Sequence, residues 1–233
     1  MKYLIFGSSG KLGSVIAEHL AKKGDVLGVQ RSSSDSNPSC SIDFSSDDAS
    51  AKISELCEEF DPDVIIFSQR VRGPIDSFDW CSALHHESIP ILSVGRWLAE
   101  TQIARRRNLI LISSVAATNF IEEASPVYSA VKAGIQRFYL EMTKRLPKSR
   151  RVFLWANILS LGEFELTNLS KVRNCPNFQE KKSAIVAEFG RIINEVEILK
   201  CIDVLAQADD FGLRYQNIVL DDGASGEIEW SKG

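Results

Sequence analysis

Tyr128 and Lys132 stand four residues apart at the start of an amphipathic segment, and Ser113 and Ser114 close the apolar run before it. A free phenol is a weak acid with a pKa of about 10, so it exchanges protons at neutral pH only where a neighbouring positive charge stabilises phenolate. On a helix, residues four apart share a face, which places the Lys132 ammonium within reach of the Tyr128 phenol. Either serine could then orient the oxygen that receives the proton. Each residue alone also has a bland reading: Tyr128 as a rim aromatic, Lys132 as a surface charge, the serines as a strand end in search of a cap. Together, in this order behind a glycine-rich turn, they favour a proton-transfer site.

That turn is Gly7-Ser8-Ser9-Gly10-Lys11-Leu12-Gly13, entered directly from the apolar run Lys2–Phe6. A glycine-rich turn that leaves a strand and opens a helix presents backbone N–H groups to a pyrophosphate, and the helix dipole favours the negative charge. Gly7, Ser9, Gly10, Leu12 and Gly13 are the candidate contacts, and Gly13 would also allow close packing of helix on sheet. The second apolar run ends Val29-Gln30-Arg31-Ser32, without the acidic residue that would accept hydrogen bonds from a free adenosine ribose. Arg31 could instead offer a fork to a 2′-phosphate, which favours NADP(H) over NAD, or could equally be a solvated loop charge, and Ser32 beside it is a further candidate cofactor contact. Asp43 could reach the adenine amino group, or could equally place a negative charge ahead of the next helix. A nucleotide cradle combined with a proton donor points to redox chemistry.

These residues need elements to hold them. Short β-branched runs alternate with longer segments of helical period, the pattern of βαβ units in a parallel sheet covered on both faces. Strands are expected at Lys2–Phe6, Asp25–Gln30, Ser41–Phe44, Asp63–Ser68, Asn108–Ser113, Val152–Ile158 and Ile218–Asp221. Helices are expected near Lys11–Lys22, Asp47–Phe60, Phe78–Arg105 and Pro126–Leu146, the third bent or broken at Pro90 for want of a backbone donor. In the fourth, Val131, Ile135, Phe138, Met142 and Leu146 form a stripe facing a core. The fold class is therefore α/β: one domain over residues 1–233, a doubly wound parallel sheet of about seven strands with helices on both faces. The segment 163–200 interrupts the alternation with polar, proline-containing sequence and a helical stretch around Ile185–Leu199, and reads as a substrate cap.

Composition narrows the partners. A net charge of −4 argues against nucleic acid, and Arg105-Arg106-Arg107 reads as a solvated helix end. The apolar runs are shorter than a membrane span and Lys2–Phe6 is too short for a signal-peptide core, so a soluble, cytoplasmic protein is expected. Five widely spaced cysteines, Cys40, Cys57, Cys81, Cys175 and Cys201, without a Cys-x-x-Cys pair, read as reduced thiols. No Cys/His spacing suits a metal, and His85-His86 would point to different helix faces.

Through Gly7-x-x-Gly10-x-x-Gly13, Ile112-Ser113-Ser114 and Tyr128-Ser129-Ala130-Val131-Lys132, the chain resembles the short-chain dehydrogenase/reductase family over nearly its whole length, as a divergent member with a Rossmann-like sheet. Asp43-Phe44 resembles the family's adenine-contacting pair, and Asp221-Asp222-Gly223 its final Asp-Gly-Gly. The resemblance implies a reversible carbonyl–alcohol reaction on a small or medium organic substrate. Tyr128 would be the acid/base, Lys132 would bind the nicotinamide ribose and lower the tyrosine pKa, and Ser114, with Ser113 in reserve, would hold the reacting oxygen. Ser68 would line the cofactor after the fourth strand. The resemblance also implies a homodimer or homotetramer built on the third and fourth helices.

The chain departs from the family pattern in several places. Phe67-Ser68-Gln69-Arg70 replaces Asn-Asn-Ala-Gly, Leu161-Gly162 replaces Pro-Gly, and Glu87 falls near the position of the catalytic asparagine, while Thr167 could match a threonine at the cofactor amide. Arg70 and Arg72 could meet an anionic substrate or pair with nearby carboxylates. Two alternatives follow: a sugar-nucleotide epimerase or dehydratase, suggested by the glycine spacing and the two arginines, and a dinucleotide-binding sensor or scaffold without catalysis.

Overall fold

Strands β1 (Lys2–Phe6), β2 (Asp25–Gln30), β3 (Ser39–Ser41), β4 (Val64–Phe67), β5 (Arg107–Ser114), β6 (Leu154–Leu161) and β9 (Asn217–Leu220) form one seven-stranded sheet in the order β3-β2-β1-β4-β5-β6-β9. Every pairing is parallel. The computed structural model describes residues 1–30, 38–70, 80–101, 105–119, 126–162, 164–165, 183 and 192–221. Between the strands lie α1 (Lys11–Leu20), α2 (Ala49–Phe60), α3 (Trp80–Glu100), α4 (Pro126–Arg145), the single turn α5 (Lys148–Arg151) and α6 (Glu195–Ala206). A second, two-stranded parallel sheet pairs β7 (Phe164–Glu165) with β8 (Ile193–Asn194).

The near-continuous apolar strands have two buried faces because alternate side chains go to opposite sides. Leu4, Phe6, Ile65, Phe67, Leu109 and Leu111 point into a core shared with Ile53 of α2, Val94 and Leu98 of α3, and Ile135 and Tyr139 of α4. Tyr3, Ile5, Val64, Ile66, Ile110 and Ile112 point the other way, onto Ile16 and Leu20 of α1 and Ile198 and Ile202 of α6. With each large apolar side chain contributing about 1.5–3 kcal/mol on burial, this two-sided core is the main support of the sheet.

Helix α3 runs without interruption through Pro90, so the expected break does not occur. The missing donor costs about 3 kcal/mol, but Ala83, Ile91, Val94, Trp97 and Leu98 are all buried along the same helix and offset it. Strand β3 stops at Ser41 rather than Phe44, because Asp43 Oδ1 accepts the Ser45 N–H at 3.0 Å and turns the chain toward α2. Strand β6 starts later than expected, at Leu154, since Pro147 opens α5 and Val152 lies exposed beyond it. The expected helical stretch around Ile185–Leu199 has its described part in α6, which starts at Glu195 behind a capping box: Asn194 Oδ1 accepts the Glu197 N–H and Glu197 Oε2 accepts the Asn194 N–H. Most of the expected cap, Thr167 included, lies outside the described residues.

Candidate active site

The glycine-rich turn is shaped by its lack of side chains. Gly7 has φ +83°, in the left-handed region, and a Cβ there would sit 2.7 Å from the Gln69 backbone. A Cβ on Gly13 would come within 2.2 Å of the Gly7 carbonyl oxygen, so α1 starts pressed against the turn that leads into it. The Gly7 N–H donates to Val29 O and the Gly10 N–H to Gly7 O, fixing the loop at the carboxyl ends of β1 and β2. Ser8 Oγ is buried here with no hydrogen-bond partner among the described residues, Ser9 is exposed, and Leu12, in the first turn of α1, packs against the core. A tight turn at the carboxyl edge of a parallel sheet, opening a helix and holding an unsatisfied buried hydroxyl, fits the pyrophosphate of a dinucleotide.

On one side of this turn, Ser68 donates its N–H to Phe6 O at 2.9 Å. On the other lie the adenine-end candidates: Asp43 is exposed, with Oδ1 accepting from Ser45 Oγ at 2.7 Å as well as from the backbone, while Phe44 sits in the core with its ring 6.3 Å from Phe6. Arg31 and Ser32 lie outside the described residues.

The proton-transfer candidates gather around the first turns of α4. Tyr128 is half-buried, and the Arg70 guanidinium carbon lies 4.5 Å from its ring centroid. One turn on, Lys132 is buried, and its Nζ donates to Glu87 Oε2 of α3 at 2.7 Å, the two side chains being 5% and 3% exposed. Glu87 thus occupies the helix facing α4 with a carboxylate where the resemblance implied an asparagine. Its backbone carbonyl accepts from Gln69 Nε2 at 3.0 Å, and Gln69 in turn backs Gly7. An unbroken chain of contacts therefore runs from the glycine-rich turn through Gln69 and Glu87 to Lys132.

The two serines part company at the end of β5. Ser113 is buried and accepts from Gln136 Nε2 of α4 at 2.8 Å; the same amide reaches Ser160 Oγ at 3.1 Å, and Ser160 donates to Asn217 Oδ1 at 2.9 Å. Ser113 is thereby committed to a network tying β5, β6 and β9 to α4. Ser114 leaves the sheet into a 3-10 turn, Val115–Ala117, that packs against α4, and its Oγ accepts the Ala116 N–H at 3.2 Å. An oxygen that accepts this bond still has its own O–H to donate. Tyr139, also on α4, is fully buried with its hydroxyl 2.9 Å from Leu109 O, and burial holds its phenol well above the ordinary range, which leaves it a structural tyrosine.

In the sequence, Glu87 and Gln69 stand out only as departures from the family pattern, and Gln136 carries no signal at all. Charge complementarity between Glu87 and Lys132 was the available signal, but nothing in their spacing, forty-five positions, tells that α3 and α4 are neighbours. Among the described residues no group of three His, Cys, Asp or Glu could hold a metal ion, and no helix is long and apolar enough to cross a membrane.

A family model described as NAD dependent epimerase/dehydratase matches residues 3–119, half of the chain. The chain belongs to the NAD dependent epimerase/dehydratase family. Within that family it is a divergent member, with the fold of short-chain dehydrogenases/reductases. Its structure is similar to that of an aldohexose dehydrogenase from Thermoplasma acidophilum, with a TM-score of 0.75 at 16% identity, covering 100% of this chain and 96% of that one. It is similar also to a gluconate 5-dehydrogenase from Burkholderia cenocepacia in complex with NADP and tartrate, with a TM-score of 0.75 at 20% identity and 97% and 96% coverage. A short chain dehydrogenase from Leptospira borgpetersenii with bound NAD+ gives a TM-score of 0.75 at 16% identity, covering 97% of this chain and 92% of that one. No curated protein matches the sequence.

Proposed function

We propose that this member of the family is an NADP-dependent oxidoreductase that interconverts a carbonyl and an alcohol on a small or medium organic substrate. The observation that carries the reading is the half-buried Tyr128 one helical turn before a buried Lys132, on the helix that packs against the end of β5 and its Ser114. When bound, the nicotinamide supplies or takes up the hydride. Tyr128 gives its proton to the carbonyl oxygen or removes it from the alcohol. Ser114 donates its O–H to the same oxygen, and Lys132, held by Glu87, faces the ribose hydroxyls. Proton transfer from a placed group of this kind contributes roughly 10²–10⁴-fold in rate.

Gly7, Ser9, Gly10, Leu12, Gly13 and Ser68 would receive the pyrophosphate and the cofactor's middle, Asp43 and Phe44 the adenine end, and Arg31 with Ser32 a 2′-phosphate. The preference for NADP rests on the sequence alone, through Arg31 and the missing acidic residue at the end of β2. Residues 163–200 would cap the substrate. Helices α3 and α4 would build a homodimer or homotetramer, in the cytoplasm.

The family match favours a second reading, a sugar-nucleotide epimerase or dehydratase in which hydride is returned to the substrate. The fate of the cofactor separates the two. As an oxidoreductase, the protein oxidises one NADPH for each carbonyl reduced; substrate conversion with NADP(H) left at constant concentration would establish the epimerase reading.

A further inference from the structure

Three charged side chains converge on the Tyr128 end of α4 among the described residues, and they are not equivalent. Lys132 and Glu87 form a buried one-to-one pair at 2.7 Å, whose charges cancel. Arg70 is exposed, lies over the Tyr128 ring at 4.5 Å, and has no carboxylate within ion-pair distance among the described residues. A guanidinium over an aromatic face is held by the ring's negative quadrupole while its N–H donors, which radiate in its own plane, stay available. Those donors form a fork that matches the two oxygens of a carboxylate or phosphate. Arg70 is thus a cation without an ion-pair partner among the described residues, lying against the ring of the phenol assigned to the reacting oxygen.

We propose that Arg70 determines substrate specificity by docking an anionic group, carboxylate or phosphate, carried by the carbonyl compound next to its reacting carbon. The assignment rests on the reading of Tyr128 as proton donor, since that is what makes the neighbourhood of its ring the substrate's place. Its place over Tyr128 would bring the docked anion, and the carbonyl beside it, close to the phenol.

The test uses the full chain carrying Tyr128→Phe, which keeps the ring under Arg70 and blocks turnover, saturated with NADPH. It is titrated calorimetrically with paired compounds: 2-oxo and 3-oxo carboxylates against their methyl esters, and phosphorylated aldoses and ketoses against the free sugars. At least one anion is expected to bind about 10- to 100-fold more tightly than its neutral partner, as one charge-assisted contact gives. The pair that shows the preference identifies the group. Adding Arg70→Gln should abolish the preference and Arg70→Lys should restore part of it, with NADPH affinity unchanged in both. Equal binding of neutral partners, no binding of any anion, a preference that survives Arg70→Gln, or NADPH affinity falling along with it would overturn the assignment. A preference lost in Arg70→Gln, where the parent chain with Tyr128 intact never oxidises NADPH with the same compound, upholds the docking role and sinks the oxidoreductase reading. NADPH-dependent turnover without charge preference does the reverse.

Discussion

Burying a lysine and a glutamate costs several kcal/mol per ion in lost hydration, roughly the size of their mutual attraction, so the Lys132–Glu87 pair adds little net stability. Its consequence is positional: the ammonium has one address. Removing either partner strands the other charge, so Glu87→Gln and Lys132→Met should each destabilise the protein by about 3–5 kcal/mol, while the double variant loses less than the sum. Urea denaturation of the four proteins measures the coupling; strictly additive losses would show that the two side chains do not meet. The Tyr128–Lys132 spacing was legible in sequence because four residues of helix is a local relation. The Glu87–Lys132 contact was not, because it depends on how two helices lie side by side. Likewise, residue type alone does not separate Ser113 from Ser114; the family resemblance ranks Ser114 first, and in the fold the Gln136 side chain takes up Ser113.

At the scale of elements, sequence period set the helices and strands well, and the errors have local causes. Of the bend or break expected at Pro90, the break does not occur, since burial along α3 outweighs one missing hydrogen bond; β3 ends short of Phe44 because the Asp43–Ser45 turn competes with strand pairing. The α4 stripe of Val131, Ile135, Phe138, Met142 and Leu146 does face the core, and Tyr139 joins it as the fully buried ring, its hydroxyl meeting the Leu109 carbonyl inside. Tyr139→Phe should cost about 1–2 kcal/mol in thermal or denaturant unfolding and leave catalysis intact, in contrast to Tyr128→Phe.

The α1 and α6 side of the sheet makes a pH prediction. Burial acts to raise the Asp203 carboxyl, but hydrogen bonds and charge from Lys23 and His19 outweigh it and hold the group below the usual carboxylate range. A carboxyl depressed in the folded state contributes stability above its unfolded pKa of about 3.9 and loses it as pH falls through the lower folded value. Asp203→Asn should therefore lower the melting temperature at pH 7 and have a shrinking effect as acid is added below about pH 4. A difference that is constant with pH would contradict the pairing.

For the whole molecule, the alternating βαβ order foretold the parallel seven-stranded sheet, since strands buried on both faces need helices on both. The order of strands places the phosphate turn after β1 and the end of β4 side by side at one edge, and α3 and α4 bring Glu87 and Lys132 together on the same side of the sheet. The short strands β7 and β8 were not legible in the sequence, because two residues carry no period. A single Gly13→Val substitution should disturb the turn through the Gly7 carbonyl and weaken NADPH binding by at least about 10-fold in a fluorescence titration, as loss of one or more backbone contacts would.

The central claim is that the Tyr128 phenol carries the proton. The most direct measurement is NADPH oxidation by Tyr128→Phe beside the parent protein, with NADPH affinity of both determined by calorimetry. The proposed role of Tyr128 predicts a loss of turnover of roughly 10²–10⁴-fold with NADPH affinity within about twofold of the parent. Turnover of the same carbonyl substrate at the parental rate, with cofactor bound as tightly, would contradict it.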